Sequence, residues 1–288
     1  ALSVVYGAAA TWRRRWYARD PQRARRLTRP VISVGNVRVG GSGKTPVVAE
    51  VARLLGAAGE RPAILSRGYG REHADRGVTV VSDGTRIRAD VAHAGDEPLL
   101  LARALPGVPV LVCEQRYLAG LEAEQHFGAT VHLLDDGFQH VQLARDVDLV
   151  LVDGRDLDDR VLPAGRLREP IANARTAHAL LAQGDAGEAR RMAEGLGIPQ
   201  AFGVARTIGA PVNLATGEDV PADARMFAVA GIARPERFFD DLRAAGATVV
   251  GTRVFRDHHR FRASDVQAIA QAARQAGAEV VVTTEKDA

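Results

Sequence analysis

Short apolar runs bounded by turn residues recur through the first two thirds of the chain. They fall at Val31–Val34, Ala63–Leu65, Val78–Val81, Val108–Cys113, Val131–Leu134 and Val147–Val152. Continuous Val/Ile/Leu runs of four to six residues, rather than apolar–polar alternation, predict strands buried on both faces, so the pattern reads as a mainly parallel sheet covered by helices. Between the first two runs, Val47, Val48, Val51, Leu54 and Leu55 recur at helical spacing after Pro46 and before Gly56, which predicts an amphipathic helix with proline in its first turn. No heptad or internal repeat interrupts this rhythm.

The texture changes after residue 200. Ala201–Ile208 and Val212–Thr216 read as two short strands around Gly209-Ala-Pro211, a two-stranded linker over 201–218. A second α/β unit follows over 219–288: strand Met226–Ala230, helix Pro235–Ala245, strand Thr248–Phe255, helix Ser264–Ala276 capped by Ser264, and strand Glu279–Thr283. The chain ends at Thr284-Glu-Lys-Asp-Ala288, where a covering helix would follow such a strand, so further C-terminal sequence is expected. Two domains joined by a linker imply a cleft, the usual place for a ligand.

At 288 residues, 46% hydrophobic and 25% charged, the balance is that of a globular protein with a sizeable core. The single cysteine, Cys113, excludes an internal disulfide, offers no zinc site and fits a reducing compartment as buried strand filler. The net charge of +3 hides an asymmetry. Residues 1–30 hold eight arginines against Asp20 alone, so this segment carries +7 and the remainder −4. Its apolar opening (1–10), with Trp12, Trp16 and Tyr17 among the arginines, suggests a helix lying on an anionic bilayer surface. A ten-residue run is too short to span a bilayer. A nucleic-acid-binding arm and a solvated tail are the alternatives, with interfacial Trp and Tyr favouring the membrane.

The chemistry centres on Val34-Gly-Asn-Val-Arg-Val-Gly-Gly-Ser-Gly-Lys44-Thr45-Pro46, an apolar strand running through a glycine-rich turn into a helix. Backbone N–H groups of Gly40, Gly41, Ser42 and Gly43 would point at phosphate oxygens, Lys44 would reach the outer phosphates, and the Thr45 hydroxyl would face Mg²⁺. Arg38 stands where the first glycine of the strict motif falls, which makes this a variant P-loop. Asp135 and Asp136 end the strand Val131–Leu134 at the same sheet edge, the place of acids that hold Mg²⁺ during phosphoryl transfer, though paired acids before glycine also form turns. Asp96 and Glu97 precede the helix Leu99–Leu105 and are explained equally by capping or by base and metal chemistry. Asp257-His258-His259 follows a strand of the second unit, where a carboxylate beside a histidine suits proton abstraction. Arg166 and Arg168, in a loop that runs on to Glu169, suit a substrate phosphate, as does the basic loop around Arg67.

The ordered set Val-Gly-Asn…Gly-Gly-Ser-Gly-Lys-Thr-Pro, Ser-Arg-Gly-Tyr-Gly, Gly-Asp-Glu-Pro, Asp-Asp-Gly-Phe-Gln-His, Pro-Ala-Gly-x-Leu-Arg-Glu-Pro, Asp-His-His and Thr-Glu-Lys-Asp spans nearly the whole chain. It resembles the tetraacyldisaccharide 4'-kinases, the lipid A 4'-kinases. The resemblance implies an α/β fold with a P-loop NTPase-like parallel sheet in a kinase domain over 31–200, and transfer of the ATP γ-phosphoryl group to the 4'-hydroxyl of a tetraacylated glucosamine disaccharide 1-phosphate. It implies Asp96 and His258 as the catalytic dyad, with His259 as the competing histidine. It implies Gly40, Gly41, Ser42, Gly43, Lys44, Thr45, Asp135 and Asp136 at ATP, with Thr45, Glu97, Asp136 and Gln139 at Mg²⁺. Arg168, Glu169, His140 and Arg67 would meet the substrate. The implied setting is the cytoplasmic face of a Gram-negative inner membrane, with the basic segment on the lipid surface, no nucleic acid, and a monomer. A P-loop GTPase switch is the main rival, since Thr284-Glu-Lys-Asp287 superficially matches a base-reading strand end.

Overall fold

The computed structural model describes residues 1–41, 43–73, 77–221 and 223–288. By its internal contacts the chain divides into Ala1–Ala205 and Arg206–Ala288.

The first unit opens with helix α1 (Leu2–Ala18). Its sheet strands are β1 (Val31–Asn36), β2 (Pro62–Ser66), β3 (Thr79–Asp83), β4 (Pro109–Val112), β5 (Val131–Asp135), β6 (Val147–Val152), β7 (Ala179–Gln183) and β8 (Gln200–Val204). They lie in the order β3-β4-β2-β5-β1-β6-β7-β8, parallel throughout except for the antiparallel edge strand β3. Helices α2 (Lys44–Ala57), α3 (Val91–Ala94), α4 (Asp96–Ala104), α5 (Arg116–His126) and α6 (Ala186–Leu196) complete the unit. Side chains of β1, β2, β4 and β5 are almost wholly buried, because successive residues face opposite covered surfaces of the sheet. One surface packs Val34, Ile64, Val110 and Leu133 on α2 and α4; the other packs Leu65, Leu111 and Leu134 on α5.

Several expectations are corrected. Residues 201–204, placed in the linker by sequence, instead extend the main sheet, with Ala179 through Gln183 of β7 in register with Gln200 through Val204. A parallel strand with a free edge is satisfied by adding a partner, and α6 supplies the crossover. In the linker region proper, only an isolated bridge pairs Val212 with Asp219. On α2 the buried stripe is Val48, Ala49 and Ala52, whereas Leu54 is 61% exposed.

The second unit is a three-stranded parallel sheet in the order β10-β9-β11, formed by β9 (Arg225–Ala230), β10 (Thr248–Val254) and β11 (Val280–Val282). Helices α7 (Pro235–Ala244) and α8 (Ala263–Gln275) cover it, with Phe239 and Leu242 of α7 and Ile269 and Ala273 of α8 packed on β9. Helix α8 starts one residue before the predicted cap Ser264. The cap position is Arg262, whose N–H donates to Asp265 Oδ2 at 2.9 Å. An Asp three residues into a helix reaches back to the cap N–H more readily than a serine already inside the first turn.

Candidate active site

Strand β1 occupies the middle of the large sheet, and the chain leaves it toward β2 on one side but returns to β6 on the other. Such a reversal opens a crevice at the carboxyl ends of the strands. The register pairs Val34 with Asp135, so the glycine turn after β1 and the acids after β5 emerge side by side. A side chain at Gly35 would meet Phe138 Cβ and N at 2.6 Å, so only glycine lets the two turns approach this closely.

The loop ends on Gly43, left-handed at φ 79°, which caps α2 and places Lys44 in its first turn. Nothing lies within 4 Å of where a Cβ on Gly40 or Gly43 would be, leaving open space over the backbone. Ser42 lies outside the described residues. Arg38, the residue that breaks the strict motif, is only 5% exposed and pairs with buried Asp156 at 3.1 Å. It stabilises the segment from behind and leaves the phosphate side to the glycines. The same segment is fixed by Arg168 N donating to Val37 O at 2.7 Å and Val39 N to Arg166 O at 2.8 Å, which brings the arginine loop beside the P-loop.

Asp136, at a left-handed φ of 53°, turns its carboxylate into a cationic clamp. Lys44 Nζ stands 3.4 Å from Oδ1 and Arg168 Nη1 2.6 Å from Oδ2. Burial opposes ionisation of Asp136, but Lys44 and Arg168 outweigh it and hold the carboxyl below its usual range. Asp135 behaves in the opposite way. Being 3% exposed, beside the carboxylates of Glu97 and Asp136, it is pushed up to about 7, with Lys44 and the Ser66 hydroxyl (3.1 Å) pulling only partly back.

Asp96 and Glu97 begin α4, but the cap position is Gly95, so capping does not account for Asp96. Both carboxylates lie in the first helical turn, at the positive end of the helix dipole.

Gln139, expected beside Mg²⁺ or nucleotide, is engaged at both ends. Its Nε2 donates to Asn36 O and Glu169 Oε1, each at 2.8 Å, while Oε1 accepts from Arg168 at 3.3 Å. Glu169, expected against substrate, is 3% exposed and accepts a forked pair from Arg14 (Nε at 2.9 Å, Nη2 at 2.7 Å) and a bond from Asn173 at 3.0 Å. Its role in this geometry is to hold the loop. The sequence reading missed Arg14, which also donates to Phe138 O at 2.9 Å and lies 4.1 Å over the Phe138 ring. Arg13 Nη1 donates to Gln139 O at 2.9 Å. Two of the arginines expected on a lipid surface are therefore tied to the loop after β5, while Leu2, Val4, Val5 and Trp12 of α1 stay exposed.

On the other flank of β5, Arg67 follows β2, Arg116 opens α5 after β4, and His140 follows the acids. Burial and the charges of Arg116, Arg145, Arg13 and Arg67 push His140 down to about 3, so it is neutral. Burial and Arg67 pull Arg116 down to about 10, against the attraction of Asp136 and Asp135.

In the second unit His258 adopts φ 60°, and Lys286 Nζ pairs with Asp257 at 2.9 Å and stands 3.4 Å from His258 Nε2. His259 Nε2 meets Asp265 at 3.1 Å and its ring stacks on Phe255. The carboxylate of Asp287, the residue a GTPase would aim at a base, accepts from Gly231 N and Thr284 Oγ1, each at 2.8 Å.

Comparisons with known proteins agree over the full length. The model of a family described as tetraacyldisaccharide-1-P 4'-kinase (LpxK) matches residues 1–288. A tetraacyldisaccharide 4'-kinase of Koribacter versatilis is 42% identical over 292 residues, covering 99% of this chain and 86% of its own. One of Geobacter metallireducens is 42% identical over 296 residues, covering 100% and 86%. The crystal structure of LpxK from Aquifex aeolicus in complex with ATP superposes with a TM-score of 0.77 at 34% identity, covering 99% of this chain and 87% of that one.

Proposed function

The chain belongs to the tetraacyldisaccharide-1-P 4'-kinase family, the ATP-dependent kinases that phosphorylate the 4'-hydroxyl of tetraacyldisaccharide 1-phosphate in lipid A biosynthesis, and we propose how its residues divide that work. The observation that carries the reading is Asp136 clamped by Lys44 and Arg168 beside the raised carboxyl of Asp135, at the mouth of a glycine turn with open space above it.

Gly40, Gly41, Ser42 and Gly43 donate backbone N–H groups to the ATP phosphates, and Lys44 leaves Asp136 to reach the outer ones. No cluster of three or more His, Cys, Asp or Glu among the described residues forms an ion cage. Mg²⁺ keeps water and phosphate oxygens and takes one or two protein groups, so its binding does not require such a cage. Thr45 and Asp136, supported by Asp135 and Glu97, are the residues that would hold it; Asp136 Oδ1 is buried and faces the Lys44 ammonium at 3.4 Å, a cation that Mg²⁺ would replace there. Bound there, Mg²⁺ would neutralise charge building on the transferred phosphoryl group. Gln139, Glu169 and Arg168 keep the loop in place. Arg67 and His140 face the acceptor, with Arg168 beside them.

Asp96 takes the proton of the acceptor hydroxyl, and His258 of the second unit is the histidine assigned to proton handling. His258 is preferred to His259 because it directly follows Asp257, the order of the Asp-His pair in the family resemblance. Helix α1 rests on the cytoplasmic face of the inner membrane through Leu2, Val4, Val5 and Trp12, with arginines at the lipid phosphates. No helix among the described residues is long and apolar enough to cross a membrane. The protein acts as a monomer in this reading.

The test is transfer kinetics of Asp96→Ala. The turnover number should fall by at least about a hundredfold with ATP affinity unchanged, because a base acts only as the proton leaves. Equal loss of ATP affinity would move Asp96 into the cation site.

A further inference from the structure

The Thr284-Glu-Lys-Asp287 motif has no part in the division of work above, yet the ends of three strands converge on it. In the order β10-β9-β11 all three run parallel, so the segments after Ala230, Val254 and Val282 emerge along one sheet edge. Gly231, after the central strand, ties the other two together. Its N–H donates to Asp287 Oδ2 at 2.8 Å and its carbonyl accepts from His258 N at 3.2 Å. Thr284 Oγ1 donates to the same Asp287 oxygen at 2.8 Å. A Cβ at Gly231 would press on Asp287 Oδ1 at 3.1 Å and Arg256 O at 3.3 Å. This clasp holds His258 at φ 60°, a left-handed conformation that is uncommon for a residue with a side chain and persists where the surroundings enforce it.

Lys286 acts on the side chain of the same residue. Its Nζ donates to Asp257 Oδ1 at 2.9 Å and stands 3.4 Å from His258 Nε2, whereas Asp257 Oδ1 lies 3.8 Å from that nitrogen, too far for a hydrogen bond. The carboxylate next to the histidine in sequence therefore does not orient the ring directly; it holds the ammonium that does. An ammonium can only donate, so Nε2 accepts, and in the neutral ring the proton is left on Nδ1. A carboxylate bonded to Nε2 would require the opposite tautomer.

We infer that Lys286 is a positioning residue for phosphoryl transfer: anchored by Asp257, it fixes His258 in the tautomer that carries its proton on Nδ1. The inference rests on the assignment of His258 to proton handling. It also gives the motif a task unlike that of a base-reading strand end, since Lys286 and Asp287 both bond to the loop and turn that set His258. A ring fixed in this way gives a hydrogen bond through Nδ1, while the Nε2 lone pair is occupied. Removal of the acceptor proton then falls to the carboxylate of Asp96, and His258 serves as a donor to an oxygen.

The experiment uses the full chain with isotope-labelled histidine, observed at about pH 8, where an ordinary imidazole is neutral. Ring-nitrogen NMR separates a nitrogen that carries a proton from one that does not, and the signals lost in His258→Gln are those of His258. The parent should show the proton on Nδ1. Lys286→Met should move it to Nε2 or to a mixture of tautomers, and Lys286→Arg, which keeps a donor, should restore the parent pattern. A lysine with a purely structural role would leave the ring unchanged. Melting temperatures should stay within a few degrees of the parent, because a partly exposed ion pair adds little stability. In transfer assays Lys286→Met should lower kcat about tenfold or more while KM for ATP and for the lipid acceptor stay within about twofold, with kcat largely recovered in Lys286→Arg. Unchanged ring signals in Lys286→Met, or a tautomer that moves while kcat stays intact, would overturn the inference. If Lys286→Met folds poorly, Asp257→Asn is read in its place and must move the same signals. A parent without transfer activity would count against the kinase reading instead, and the ring tautomer would still decide whether Lys286 sets His258.

Discussion

The two flanks of β5 treat buried charge in opposite ways. On the β1 side, Lys44, Asp136, Arg168, Gln139, Glu169 and Arg14 form a chain in which each cation meets a carboxylate between 2.6 and 3.4 Å. On the β2 and β4 side Arg116 has no such partner among the described residues, and Asp135 between the two is crowded by like charge. The first flank is preorganised: its loop geometry is set before any ligand arrives, at the cost of desolvating ions that then need one another. The second carries charge whose complement has to come from outside. A site that binds phosphates and a cation needs both, rigid framing and unmet charge at the points of contact.

The most severe way to break the first flank is Lys44→Ala, which should remove phosphoryl transfer by about a thousandfold or more and weaken ATP binding, measured by product formation and nucleotide titration. An active Lys44→Ala protein would remove the P-loop assignment. Next comes Glu169→Gln, which leaves Arg14 buried without its counter-ion. Breaking such a pair should cost about 3–5 kcal/mol of stability, read by denaturant unfolding. A change near zero would show that the pair is solvated and that α1 is not fastened through it.

A smaller effect concerns Asp135. Its carboxyl is raised above the unfolded value of 3.8 to about 7, so the folded chain binds more protons than the unfolded chain between those values. This group therefore makes stability fall as pH rises through that window, without Mg-nucleotide. Asp135→Asn should flatten the decline and melt several degrees above the parent at pH 8, while a steeper decline would reverse the sign of the argument. The smallest effect is expected from Trp12→Ser on exposed α1: partitioning to anionic vesicles should weaken a few-fold while transfer in detergent is unchanged. Equal loss in detergent would place Trp12 at the substrate instead.

The strands β1, β2, β4, β5 and β6 were legible because continuous apolar runs and glycine turns are local signals. Strand β7, helix α6 and the sheet pairing of β8 were not, because an irregular stretch separates them from β6 and an edge strand with exposed Phe202 reads like a linker strand. In the site, Asp135 and Asp136 announce themselves by position at a strand end, and Lys44 by its place after a glycine turn at a helix start. Arg14 does not: its partner Glu169 lies 155 residues away, and in sequence it is one arginine among eight. Arg116 had one usable signal, a cation placed directly after a buried strand and at a helix start. Burial without a counter-ion is a property of the packed neighbourhood, and no periodicity encodes it.

Phosphoryl transfer to a lipid sugar is read out by incubating the chain with γ-labelled ATP, Mg²⁺ and tetraacyldisaccharide 1-phosphate in detergent, with labelled GTP in parallel. Label appearing at the 4'-position from ATP, and absent with Lys44→Ala, is the predicted result. An unlabelled lipid with GTP hydrolysed in its place would contradict the account and return the chain to the nucleotide switches.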